Sequence, residues 1–471
     1  MQQPRGPIKS IFNEDNPDKN RFPKYYKMED GVAIIHREYI LIVEPQAIVP
    51  ELQEAKRYRL VKTDQSFLDV TVLKKRRCGP DARTLFLLEG EDLRILRGRR
   101  DGNGDYNSDA YDIFSLNDDN TVGDSSLGII QPGPSGGIGG VHGYPNAYGI
   151  TPPIDALPAP GISGQRTVNW QHLLLQWIMK LFVRSVRVAV LDTGFFPLPN
   201  LSLTYEECGS SPHGWNFVDE PPKTIGNAFP NDQHPEFHGT RISRIIRQLA
   251  KRSHIIPIKI ASDKGSCELY DVLCGLEYAR AWKCPVVNAS FVFPAQARTG
   301  IPLLAFMIEK LTSEGIWIVA AAGNKFTYLG MEPGTTARLG DQGMPLLYPA
   351  CYSDPANQVI AVTAISRRVR NGSSSQTWAI SECYSNDFVD IGVVANGPGL
   401  SGSAAFDNDF AAPGFPAAPG TSYATAYLSG LLVNELLQHP GSDKQTLLNS
   451  IKTREIPQFA SGIRRGLIWY I

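Results

Sequence analysis

The sequence predicts an α/β fold: a three-layer α/β/α domain with a mainly parallel sheet, preceded by a small α+β domain. Three observations carry this expectation. Beyond residue 185, fully apolar strands such as VRVAVLD, IIPIKI and WIVAAAG alternate with amphipathic helical stretches. Strands apolar on both faces belong to covered sheets, and regular strand–helix alternation marks parallel βαβ units. The chain is also 471 residues long, too long for one average domain. Finally, a long Asp/Asn- and then Gly/Pro-rich stretch separates the alternating region from a β-rich one before it, as a linker would.

The elements follow in order. Residues 1–28 are polar and Pro/Asn/Asp-rich, read as a flexible tail, with none of the basic, apolar and small-residue order of a secretory signal. Residues 29–100 form the α+β unit. EYILIVEP (Glu38 to Pro45) and Tyr58 to Leu73 are strand-like, with a polar turn at Thr63-Asp64-Gln65. Pro50 to Arg57 reads as a short helix, and Arg83 to Glu89 as a second short helix or strand. Residues 101–167 keep no helical or strand period and read as a linker open to proteases. The last unit is 168–471. It opens on WQHLLLQWIMKLFV (Trp170 to Val183), which is too short and too interrupted, by Gln176 and Lys180, for a membrane span. Its apolar residues recur at helical spacing, so it reads as an amphipathic helix on a core. Helices are then expected over Thr240 to Arg252, Glu268 to Ala281 and Leu303 to Glu314, with a long one from GTSYATA onward.

Composition excludes several classes. Lys plus Arg number 46 and Asp plus Glu 47, a net charge of -1, which gives no reason to expect nucleic acid or an anionic membrane as partner. The run Lys74-Lys75-Arg76-Arg77 is local and reads as a solvated edge. Seven scattered cysteines without a C-x-x-C pair fit reduced thiols in a cytoplasmic setting better than a disulfide framework.

HPEFHGT places His234 and His238 four residues apart. Two histidines at that spacing on one helix can share zinc, in the pattern H-E-x-x-H. Pro235 stands where the glutamate would be and cannot occupy a helix interior, so a metal pair is not expected and His234 reads as a loop residue. Four other positions attract notice. Asp192 ends a buried strand in LDTG, His238 opens a helix in HGT, Asn324 ends a strand in AAAGN, and Ser422 opens a long helix in GTSYATA. Alone, each has an ordinary reading: a turn aspartate, a core or surface histidine, a strand-ending turn residue, a helix cap. Together they sit at carboxyl ends of strands and starts of helices, where parallel sheets collect functional groups.

In that order, the motifs D-T-G, H-G-T, A-A-G-N and G-T-S-x-A-T resemble the subtilisin-like serine peptidases, the subtilases. The resemblance covers about residues 168–471 and extends to VVNAS, to YPACYSDPANQVIAVTAI and to YSNDFVDIG. It implies a serine endopeptidase that takes protein or peptide substrates. A serine hydroxyl needs a base to become a nucleophile. His238 would take the proton from Ser422, Asp192 would hold the imidazole, and Asn324 with the Ser422 backbone N–H would bind the oxyanion. Substrate would add as a strand beside Ser290, Phe291 and Val292 on one side and Ala321, Ala322 and Gly323 on the other.

The sequence also departs from the family. Val292 replaces a glycine where substrate would run, and Tyr423 and Ala426 replace the usual Met and Pro of the serine motif. The small N-terminal domain resembles the family's propeptides, which implies an inhibitor of the chain's own active site, a zymogen and autocatalytic cleavage within 101–167. The chemistry requires no cofactor. Calcium would find Asn231 and Asp232 as candidate ligands, although acidic loop residues are more often simply solvated. Two other functions fit the same motifs: a non-catalytic peptide-binding protein, favoured by the altered Phe291-Val292 strand, and a peptide ligase or macrocyclase in which an amine replaces water.

Overall fold

A computed structural model of the chain describes residues 24, 26–29, 31–45, 52–62, 67–78, 81–90, 99–100, 106–107, 111–116, 122–130, 141–151, 185–196, 214–218, 230–296, 298, 300–324, 338–341, 344–369, 376–380, 382–396, 420–451 and 453–469. The chain divides into two compact units, residues 1–77 with 83–148, and residues 78–82 with 149–471.

The first unit is an antiparallel sheet. Its strands are β1 (Tyr26–Glu29), β2 (Val32–Val43), β3 (Arg57–Lys62), β4 (Phe67–Arg77), β5 (Thr84–Gly90), β6 (Tyr111–Leu116), β7 (Val122–Ile130) and β8 (Val141–Ile150). The order is β8-β2-β5-β4-β3-β6-β7, with β1 also on β2. The strand pairs of Glu38 to Val43 and Phe67 to Leu73 are present as expected. Two expectations change. Pro50 to Arg57 is not a helix where described: Ala55 N–H donates to Val72 O, Val72 N–H donates to Lys56 O, and Arg57 pairs with Thr71. Sheet bonds to β4 outbid a helix of two turns, which is marginal without packing. The stretch 101–167 is not structureless throughout, since β6, β7 and β8 run through it. In β8 the alternation is hidden by a register shift between Pro145 and Ala147, where proline lacks a ladder N–H. The buried Asn146 fastens that bulge through its amide, 2.7 Å from Glu38 Oε2.

The second unit is built on a mainly parallel sheet. Its strands are β9 (Val186–Asp192), β10 (Trp215–Asn216), β11 (Ser253–Lys259), β12 (Val286–Ala289), β13 (Trp317–Ala321), β14 (Val359–Val369), β15 (Ile391–Asn396) and β16 (Leu467–Trp469). They lie in the order β10-β11-β9-β12-β13-β14-β15-β16, each parallel to its neighbour. Four helices matter for the site: α1 (His238–Leu249), α2 (Leu269–Ala281), α3 (Pro302–Ser313) and α4 (Thr421–Gln438). The helix expected at Thr240 begins two residues earlier, on His238 itself.

The two-residue period of β9 shows how three layers arise. Val188 and Val190 share a buried cluster with Ile242, Ile245 and Ile246 of α1 and Leu428 and Leu432 of α4. Leu191, on the opposite face, lies under α2. A Cβ added to Gly275 there would sit 2.8 Å from Ile260, 3.2 Å from Ile258 and 3.3 Å from Leu191. Glycine lets α2 approach the sheet that closely, despite costing about 1 kcal/mol of helix propensity. Among the described residues no helix is long and apolar enough to cross a membrane. The stretch Trp170 to Val183 lies outside the described residues.

Candidate active site

Asp192 is the last residue of β9, the point where an apolar strand leaves the core. Its carbonyl accepts Ile260 N–H at 2.9 Å and Ala261 N–H at 3.2 Å, which fixes the strand end to the chain leaving β11. The side chain turns inward and is fully buried. Its Oδ1 accepts the Thr193 N–H at 2.7 Å and meets His238 Nδ1 at 2.7 Å.

His238 opens α1 and is 1% exposed. Phe237 before it takes the left-handed conformation, φ 50° and ψ 49°, which costs a non-glycine residue about 1–3 kcal/mol and turns the chain sharply into the helix. Gly239 after it lies against β9: a Cβ there would run into Gly194 O and come within 3.1 Å of Asp192 Cβ. Only glycine lets the imidazole reach Asp192. Burial opposes a charged ring, but the Asp192 charge and hydrogen bond, joined by the charges of Asp232 and Glu236, outweigh it and raise the His238 pKa. His234 lies off the helix, with Nδ1 accepting Glu236 N–H at 3.2 Å and its ring 6.2 Å from that of His238.

Ser422 is the second residue of α4, whose N-cap Gly420 is extended. Backbone N–H groups of a first turn have no helical partner, and the helix dipole favours negative charge there. Asn324, just beyond β13, is held facing this turn: its Oδ1 accepts both the Thr421 N–H at 2.8 Å and the Thr421 hydroxyl at 2.9 Å. That leaves the amide nitrogen free to turn toward the helix start, where a Cβ on Gly420 would come within 3.3 Å of it. The Tyr423 ring packs edge-on to His238, centroids 6.1 Å apart. Asp192 thus touches His238, Asn324 is tied to the residue before Ser422, and the residue after Ser422 packs on the His238 ring.

Three buried side-chain atoms in this cluster have no hydrogen-bond partner among the described residues: Asp192 Oδ2, His238 Nε2 and Ser422 Oγ. An unsatisfied buried polar atom costs about 1–3 kcal/mol, so three in one cluster call for a functional reason.

The expected substrate rail is placed differently. Ser290, Phe291 and Val292 are wholly buried. Ser290 Oγ accepts from Asn288 at 2.9 Å and donates to Ser422 O at 3.4 Å, so it braces the serine turn. Ala321 ends β13. Ala322 N–H donates to Val362 O, and Gly323 binds Thr421 Oγ1 through its N–H and Cys383 N–H through its carbonyl. Those groups of 322 and 323 serve the protein's own interior. Asp232, read as a solvated loop residue or calcium ligand, is 1% exposed, and protein donors occupy both its oxygens. It does not fit a calcium ligand. Asn231 pairs through its backbone with Phe195. Two residues take a part in the site that sequence reasoning does not foresee: Thr421, for which the threonine of G-T-S is a usable signal, and Asp232, which the sequence offers only as a calcium candidate.

The sequence pattern of the Subtilase family matches residues 184–455. The chain is 24% identical to the minor extracellular protease Epr of Bacillus subtilis (strain 168) over 264 residues, 54% of this chain and 32% of that protein. It is 28% identical to subtilisin E of the same organism over 266 residues, 54% of this chain and 56% of that protein. The chain thus matches about a third and about half of the length of these two relatives. Among solved structures, a cold adapted subtilisin-like serine proteinase superposes with a TM-score of 0.40 at 22% identity, over 60% of this chain and 88% of that one.

Proposed function

Because this chain belongs to the subtilase family, we propose that it is a serine endopeptidase working through Asp192, His238 and Ser422. Ser422 Oγ attacks the scissile carbonyl carbon while its proton passes to His238 Nε2. The Nδ1–H stays on Asp192, whose charge stabilises the imidazolium as it forms. The oxyanion is held by the Asn324 amide and the Ser422 backbone N–H. Collapse of the tetrahedral intermediate breaks the C–N bond, and His238 returns the proton to the leaving amine. Water then attacks the acyl-Ser422 ester with His238 again as base, releasing the acid and restoring the serine. The observation that carries this reading is the 2.7 Å contact between His238 Nδ1 and Asp192 Oδ1, with His238 Nε2 and the buried Ser422 hydroxyl both lacking a hydrogen-bond partner, each other included, among the described residues.

The N-terminal region is proposed to be an in-chain inhibitor, made as a zymogen and released by self-cleavage within 101–167. What supports the reading is the resemblance of the N-terminal region to the family's propeptides, together with its forming a compact antiparallel unit of its own, residues 1–77 with 83–148.

Incubation with a denatured protein substrate tests the activity. Internal peptide bonds should be cut, with new carboxyl and amino ends. His238 must be neutral to accept a proton, and its pKa is raised, so kcat/KM should fall as pH drops through a limb above the ordinary histidine value of about 6.5. A pH-independent rate across that range, or acyl transfer to amines with no hydrolysis in their absence, contradicts the reading. Asn324→Ala should lower kcat by about 10²–10³ with KM little changed, because the donor acts on the transition state. An equal loss through KM alone would assign Asn324 to substrate binding instead.

A further inference from the structure

Asp232 lies six residues before His238, outside every motif that marks the site. Its Oδ1 accepts the Thr193 hydroxyl at 2.9 Å and the His234 N–H at 3.1 Å. Its Oδ2 accepts the Thr240 N–H at 3.0 Å and the Thr240 hydroxyl at 2.7 Å. Thr193 follows Asp192, and Thr240 lies two residues past His238. The Thr193 hydroxyl itself accepts Gly239 N–H at 3.0 Å, and the Thr240 hydroxyl accepts Phe196 N–H at 2.8 Å. One carboxylate thus closes a ring of hydrogen bonds around the two chain segments that carry the charge-bearing members of the triad.

Four donors aimed at two oxygens suit an ionised carboxylate, since a protonated oxygen would turn its own O–H toward a donor. Burial pushes the Asp232 pKa up, the Thr240 and Thr193 bonds pull it down, and the nearby Asp192 charge adds to the rise. The groups around His238 are Asp192 through its hydrogen bond, Asp232 and Glu236 through their charges, the rings of His234 and Tyr423, and Arg241, 3.4 Å from the Tyr423 hydroxyl.

We propose that Asp232 is a positioning residue for the reaction, holding Asp192 and His238 in register and keeping a second fixed negative charge beside the imidazole. This rests on the hydrolytic role proposed for His238. It touches no reacting atom itself.

Asp232→Asn tests it. An amide must point its N–H₂ at donors on one side, so the ring opens at either Thr193 or Thr240. The variant should lose between about 10- and 100-fold in kcat, the scale of a small misplacement at the reacting centre. KM should hold, and the acidic limb of the pH–rate profile should move to lower pH because a negative charge has left. Thr193→Val should lose kcat in the same range, and Thr193→Ser, which keeps the hydroxyl, should restore it. NMR titration of the His238 ring, with Asp232→Asn placed on Ser422→Ala, should give a lower pKa than Ser422→Ala alone.

A variant with lower melting temperature but wild-type kcat and an unmoved limb overturns the proposal. If Asp232→Asn does not fold, wild-type kcat in Thr193→Val does the same. If the wild-type chain cuts no substrate, the proposed function fails on its own. The NMR titration then still decides the role of Asp232, and an unmoved His238 pKa sinks it.

Discussion

Ser422→Ala is expected to reduce peptide-bond hydrolysis by about 10⁶-fold while leaving the fold at least as stable. The two halves of this expectation have one cause. Ser422 Oγ is buried, and it has no hydrogen-bond partner among the described residues. Removing it takes away the nucleophile and also a polar atom whose burial costs about 1–3 kcal/mol. A serine retained for structure would behave in the opposite way, with the melting temperature falling and activity partly kept. Intact-mass time courses give a second readout. The wild-type chain should lose its N-terminal region by a cut within 101–167, and the variant should stay whole. Equal splitting of both would assign the cut to an outside protease.

Asp192→Asn has the second largest expected effect, and the geometry shapes it. Both hydrogen bonds to this carboxylate fall on Oδ1, from Thr193 N–H and from His238 Nδ1, whereas Oδ2 has no partner among the described residues. An asparagine can keep its oxygen at the Oδ1 position and place its N–H₂ where Oδ2 was. The imidazole then keeps its tautomer and its orientation, and what is lost is the charge that stabilises the imidazolium. We expect kcat to fall by between about 10² and 10⁴, the upper figure being the cost when the tautomer is lost as well. The acidic limb should move to lower pH, since the Asp192 charge and bond are what raise the His238 pKa against burial. A limb that stays in place while kcat falls would mean that the histidine in question is not titrating in the rate. In the double variant with Ser422→Ala the losses should not add, because the triad acts as a unit.

The four residues proposed to carry the reaction were legible because each lies in a short local motif at a strand end or helix start. The parallel sheet was legible for a related reason: β9, β11, β12, β13 and β14 read as largely apolar runs punctuated by helices, whereas β15 was not expected as a strand. What escaped depends on contacts distant in sequence. Asp232 acquires its role only when Thr193, 39 residues away, folds against it. Thr421 does so through Asn324, 97 residues away. Ser290 sits on a stretch whose resemblance suggested substrate contact, yet its hydroxyl turns to Ser422. In the first unit, β8 was hidden by composition: glycine and proline read as linker, but a bulge at Pro145 and the Asn146–Glu38 bond let the strand pair with β2. Pro50 to Arg57 failed for the converse reason, a local helical preference overruled by pairing with β4.

The most direct test of the central claim is labelling with an organophosphonate fluoride, followed by peptide mapping of the adduct. The reagent reports whether a serine is activated as a nucleophile, independently of which substrate the protein takes. A triad of Asp192, His238 and Ser422 predicts one adduct per chain on Ser422, formed more slowly as pH falls through the His238 limb and strongly reduced in Asp192→Asn. Hydrolysis of peptide bonds by a chain that carries no adduct on Ser422, or carries it on another residue, would contradict it.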